Sequence, residues 1–167
     1  MVVGCSQRIR GLPMLVVGAP LYLLESVATC WKCGALQPVI AFGAERILED
    51  SGGDDAGLWQ STDFTLLNYI EDMPDAVYRF VCAFHPGYRK VFSMTADMEY
   101  YANTCGCGAF FGDWFLVCEA GGAFFPEMAA DARRITISTI PLGGELAFTC
   151  SWSQGARNAI RDFAIRV

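Results

Sequence analysis

Hydrophobic and polar positions alternate with a period of two in several separate stretches of this chain, and the longer helical period is strongest in one. Val91 and Ser93 against Phe92 and Met94 predict a strand over 89–94, and Ile135, Ile137 and Thr139 against Thr136, Ser138 and Ile140 predict another over 134–140. A further strand is expected over 145–152, reached through Pro141-Leu142-Gly143-Gly144, a sequence suited to a hairpin link. Upstream, 14–17 and 21–27 read as short strands around a Gly-Ala-Pro turn. Residues 37–42 read as a buried strand whose β-branched content sits at Val39-Ile40. The segment 110–118 is apolar at most positions, which predicts a strand buried on both faces with Gly112-Asp113 as a bulge or turn inside it.

The helical exception lies at 74–84. Val77, Phe80, Val81 and Phe84 recur at i, i+3, i+4 and i+7, Pro74 and the acids Glu71, Asp72 and Asp75 mark the start, and Pro86-Gly87 marks the stop. A second, shorter amphipathic helix is expected over 156–166 through Ile160 and Phe163, with its arginines on a solvated face. Together these elements predict an α+β, β-rich fold: antiparallel strands with one or two short helices, forming a single domain over 1–167.

Composition narrows the class. At 53% hydrophobic and 18% charged residues over 167 positions, the chain can bury a core without staples, so general disorder is excluded. The net charge of −6 is unevenly spread: residues 45–75 hold nine of the eighteen acids and one base, Arg46. An acidic field opposes direct nucleic-acid binding and favours a basic protein partner. Glu49, Asp50, Asp54 and Asp55, interleaved with glycines in 49–57, are expected in a solvated loop and are the candidate partner-binding residues. Calcium does not suit this loop, which lacks both the alternating D-x-D-x-D-G pattern and the distant Glu.

At the start of the chain, Arg8 and Arg10 precede an apolar run to Leu24, in the outline of a signal peptide. Pro13, Gly18 and Pro20 interrupt that run, and cleavage after Ala28 would strand Cys30 at a new terminus. A cytoplasmic chain with no membrane span is therefore the expectation.

The cysteines carry the strongest chemistry. Cys30-Trp31-Lys32-Cys33-Gly34-Ala35 is echoed by Cys105-Gly106-Cys107-Gly108-Ala109, two close pairs that each end in Cys-Gly-Ala. A close thiolate pair can hold one ion when the chain turns sharply, and Gly after the second Cys allows the positive φ that such a turn needs. Cys30, Cys33, Cys105 and Cys107 are thus the expected ligands of one tetrahedral zinc per chain. The competing reading is four reduced core thiols, which fits the isolated Cys5, Cys82, Cys118 and Cys150 better than the repeated pairs. Cys82 and His85 lie three apart on one helical face, the spacing of a metal pair or a Cys–His dyad. His85, the lone histidine, reads instead as a surface residue or a partner of the helix C-terminus.

Each pair is followed by an apolar strand candidate, the arrangement of a zinc ribbon interrupted by a long insertion. Cys30-Trp31-Lys32-Cys33, Tyr100-Tyr101-Ala102-Asn103-x-Cys105, Gly112-Asp113-x-Phe115-Leu116 and Phe124-Phe125-Pro126 resemble the pattern of small, largely uncharacterised bacterial zinc-ribbon-like proteins. That resemblance implies zinc on the same four cysteines and implies no activity. The second pair departs from it, being C-x-C where C-x-x-C is expected.

Enzyme classes fail on missing parts. One histidine cannot supply an HNH-type nuclease, no H-x-E accompanies either cysteine pair as a zinc deaminase requires, and neither a phosphate-cradling glycine loop nor a G-x-S-x-G elbow is present. A four-cysteine site is coordinatively closed, which suits structure rather than Lewis-acid catalysis. Two binding classes remain: a zinc-stabilised module that contacts another protein, a second copy of itself included, and an acidic phage-type inhibitor whose carboxylates mimic nucleic acid.

Overall fold

The continuously buried runs at 21–24, 39–44 and 64–70 show no alternation with exposed positions, and they mark a sheet covered on both faces. The computed structural model describes residues 11–49, 60–154 and 157–167. Strands β1 (Met14–Gly18), β2 (Leu21–Thr29), β3 (Leu36–Glu49) and β4 (Gln60–Asp72) are followed by helix α1 (Asp75–Phe84). Next come β5 (Tyr88–Ser93), β6 (Met98–Thr104), the short β7 (Phe110–Phe111), a π-helical turn at Trp114–Cys118 and helix α2 (Ala129–Ala132). Strands β8 (Thr136–Thr139) and β9 (Glu145–Ser153), helix α3 (Arg157–Phe163) and β10 (Ile165–Arg166) complete the chain.

Seven strands form one sheet in the order β1-β9-β4-β3-β2-β8-β10, with β1 also paired to β3. The ring β1-β9-β4-β3 therefore closes on itself, while β2, β8 and β10 extend from it as a flap. Closure works because β3 is long. One edge pairs with β2 through Ala44 and then with β1 from Ile47 to Glu49, while the other edge pairs with β4. Consecutive residues feed opposite cores: Leu23, Ile40 and Leu67 join a cluster with Phe42, Phe148 and the α1 residues Val77 and Val81, whereas Leu24, Ala41 and Leu66 join one with Phe64, Phe124 and Ile160. Strands β5, β6 and β7 form a separate antiparallel sheet.

A buried side chain splices the two sheets. β2 binds the backbone of alternate β3 residues, so the N–H and C=O of Ile40 face the other edge, where β4 pairs only from Phe42 onward. Asn103 of β6 takes the missing place: its Oδ1 accepts the Ile40 N–H at 2.8 Å and its Nδ2 donates to the Ile40 carbonyl at 2.9 Å. The amide acts as a one-residue strand.

The α+β, strand-rich and antiparallel class is as expected, as are the strands on either side of the first cysteine pair and helix α1. Several expectations need correction. The apolar segment 110–118 is not a long strand: two residues pair with β6, then Gly112-Asp113 turns the chain into the π-helical turn. Residues 141–144 do not close a hairpin, because β8 pairs with β2 and β10 while β9 pairs with β1 and β4. Among the described residues four short helical segments are present where one or two were expected, and Phe84, placed by its spacing on the buried face of α1, is exposed. Cys118 is disulfide-bonded and so is not a free core thiol, whereas Cys150 is free and fully buried. No helix among the described residues is long and apolar enough to cross a membrane.

Candidate metal centre and adjoining cleft

Both cysteine pairs occupy hairpin turns. In the first, between β2 and β3, the Cys30 N–H donates to the Ala35 carbonyl and the Gly34 N–H donates to the Cys30 carbonyl, both at 2.8 Å. In the second, between β6 and β7, the Cys105 N–H donates to the Ala109 carbonyl at 2.8 Å and the Gly108 N–H to the Cys105 carbonyl at 3.0 Å. The missing residue of C-x-C is absorbed by closing the inner bond one position sooner. Gly34 and Gly108 take φ of 74° and 87°, the left-handed region where a side chain would be strained.

The turns meet. Cys30 and Cys107 sulfurs lie 3.7 Å apart, those of Cys33 and Cys105 lie 3.6 Å apart, and all four are within 4.8 Å of one another. The four cysteines are thus positioned to bind a metal ion. Because one hairpin belongs to the large sheet and the other to the small sheet, the cluster bridges sheet to sheet, with β3 and β7 leaving it into different sheets. Asn103 sets this juxtaposition, since it fixes β6 against β3 just before Cys105 and a few residues after Cys33.

The electrostatics favour a cation. The Cys33 amide aimed at the Cys30 sulfur, joined by that of Lys32, lowers the Cys30 thiol to about 6 against the opposing effect of burial. At Cys105 the Cys107 amide pulls the same way, but burial and the neighbouring thiols outweigh it and push the group up to about 12. Four sulfurs this close cannot all ionise on their own, and a divalent ion removes the conflict by coordinating thiolates.

The other candidate residues do not join this cluster. Glu49 ends β3, where its carboxylate accepts the Trp152 indole N–H at 3.1 Å; Asp50, Asp54 and Asp55 lie outside the described residues. His85 caps the end of α1, its N–H bonded to the Val81 carbonyl and its Nε2 2.8 Å from Glu25 Oε1 on β2. The Cys82 sulfur points to the Tyr88 carbonyl at 3.7 Å. Cys82 and His85 thus have different partners, and the dyad spacing does not become a dyad.

The sequence signals neither the cleft beside the metal turns nor the burial of Asp113. A cleft of about 750 Å³ runs beside the metal turns, lined by Val27, Trp31, Phe110, Trp114 and Phe115 among others. Trp31 is largely exposed yet fixed, because its indole N–H donates to the Phe110 carbonyl at 3.1 Å across the two hairpins. Beneath the cleft wall Asp113 is buried, and its Oδ2 accepts the Tyr69 N–H at 2.6 Å. Tyr69 sits at an irregularity in β4 with φ of 50°, a conformation this bond helps to hold. Burial raises the Asp113 carboxyl to about 7, the Tyr69 N–H opposing the shift. Burial, with the Asp113 charge adding, likewise pushes Tyr69 up to about 12 and raises Tyr88 and Tyr100.

Comparison with protein-family models, curated proteins and solved structures finds no match to this chain.

Proposed function

We propose that this chain is a zinc-stabilised binding module that works by association with a protein partner and not by turnover. The observation that supports this reading is the four-sulfur cluster at the junction of two hairpins. Its donor set is all cysteine sulfur, matches the four-coordinate preference of zinc, and leaves no ligand position for substrate once an ion is bound. Zinc here adds a second link between the two sheets, beside apolar contacts such as Phe42 against Tyr88 and Tyr69 against Tyr100. Around the cluster, the exposed Trp31, Leu36 and Phe115 offer the apolar, aromatic surface typical of contact sites.

The test is affinity capture from cells of the source organism, with metal-loaded wild type beside a Cys33→Ser/Cys105→Ser variant. We expect a protein recovered in stable proportion by the wild type and lost by the variant, with neither component chemically altered. Recovery of the same proteins by both would contradict the reading.

A further inference from the structure

Among the described residues the second half of β2 has an edge with no strand partner, and that edge lines the cleft. β8 pairs only with Tyr22, Leu23, Leu24 and Glu25, so Ser26, Val27, Ala28 and Thr29 have no strand neighbour on that side among the described residues. All four line the cleft.

The direction of the edge groups follows from two bonds. Cys30 donates to Ala35 across the β2–β3 hairpin, so alternation gives Ala28 and Ser26 to β3 as well. On the opposite side, Ile140 donates to Leu21, so the odd-numbered residues of β2 face β8. Val27 and Thr29 therefore present their N–H and C=O groups to the free side. Natural edges are guarded by charge, proline or a covering segment, and Ser26-Val27-Ala28-Thr29 contains no charged residue and no proline.

We propose that this edge and cleft bind an extended, apolar peptide segment of the protein partner, added to β2 as a further strand beyond the end of β8. The inference rests on the protein-binding reading above and names the chemistry of the partner. Main-chain bonds from Val27 and Thr29 set the register of the added strand, and its alternate side chains enter the cleft, where Trp31 and Phe115 flank them. The charged residues lining the cleft are Asp131 and Arg134, which lie 4.0 Å apart as a mutual pair, so the cleft selects for uncharged, aromatic or branched side chains. A volume of about 750 Å³ accommodates two or so such groups. The π-helical turn that supplies Trp114 and Phe115 is a rare form that recurs at functional sites.

The experiment is selection of a phage-displayed library of linear peptides on the full, metal-loaded chain, followed by affinity measurement of the enriched peptides. We expect alternating apolar and aromatic sequences. Val27→Pro removes an edge donor that β3 does not use, so it should abolish their binding while leaving circular dichroism and metal content unchanged. Phe115→Ser should weaken binding about tenfold or more. Phe92→Ser, an exposed aromatic outside the cleft, should have no effect. Failure to enrich any peptide, or equal affinity for wild type and a folded Val27→Pro, overturns the proposal. Metal content measured on the same samples separates the two readings: peptide binding by metal-free folded protein removes zinc and keeps the edge, whereas metal without peptide binding removes the edge and keeps zinc.

Discussion

Asp113 is a polar residue whose role depends on burial alone. An acid whose folded pKa is raised binds its proton more tightly folded than unfolded, so its stability contribution is complete below the unfolded value of 3.8 and is lost as pH rises toward and through about 7. The difference corresponds to on the order of 4 kcal/mol above neutrality. Asp113→Asn keeps an oxygen for the Tyr69 N–H and removes the charge. Its denaturation midpoint should therefore exceed that of wild type at pH 8, by a few kcal/mol when converted to free energy, and the gap should shrink toward pH 4. An Asn variant less stable than wild type at pH 8 would contradict this assignment. Sequence could not reveal it, because Gly112-Asp113 inside an apolar run reads as a bulge or turn, which does not say where the carboxylate goes. Only the tertiary fold shows that Asp113 is covered. The four cysteines were legible for the opposite reason: their chemistry lies in local spacing and in the glycine that follows each pair, both of which survive without knowledge of the fold.

At the scale of elements, periodicity located the strands at 14–17, 21–27, 37–42 and 89–94 and located α1 through its proline boundaries, but β4, thirteen residues long, and β6 escaped it. It failed at 110–118, because a continuous apolar run has no period that separates a two-sided strand from a tight helical turn packed on a core. It also could not say which strands pair, so the closed ring and the long bent β3 were invisible. Asn103 shows how much a single side chain then contributes to element placement. Asn103→Ala would leave the N–H and C=O of Ile40 buried without partners, at about 1–3 kcal/mol each. The variant should lose stability on the order of 2 kcal/mol or more in chemical denaturation and should also release metal to a chelator faster, because β6 and its cysteine turn lose their anchor on β3. Unchanged metal release with lowered stability would show that the splice supports the core and not the metal centre.

Over the whole molecule, the two sheets share the Asn103 splice and the four-sulfur cluster, and the aromatic cleft opens beside that junction. A metal there would stiffen the walls it stands next to, since Trp31 belongs to the first cysteine turn and Phe110 follows the second. The proposed binding surface and the four-sulfur cluster then share one junction, with the edge of β2 beside it. Of the four acidic candidate residues, Glu49 lies among the described residues, and it is tied to Trp152 within the closed ring. The measurement that tests the account most directly is elemental analysis of the purified full chain, paired with far-ultraviolet circular dichroism before and after dialysis against a strong chelator. The account predicts one zinc per chain, its loss in Cys33→Ser, and disruption of structure when it is withdrawn. A folded chain with a metal ratio near zero, or a Cys33→Ser variant that keeps its metal, would contradict it.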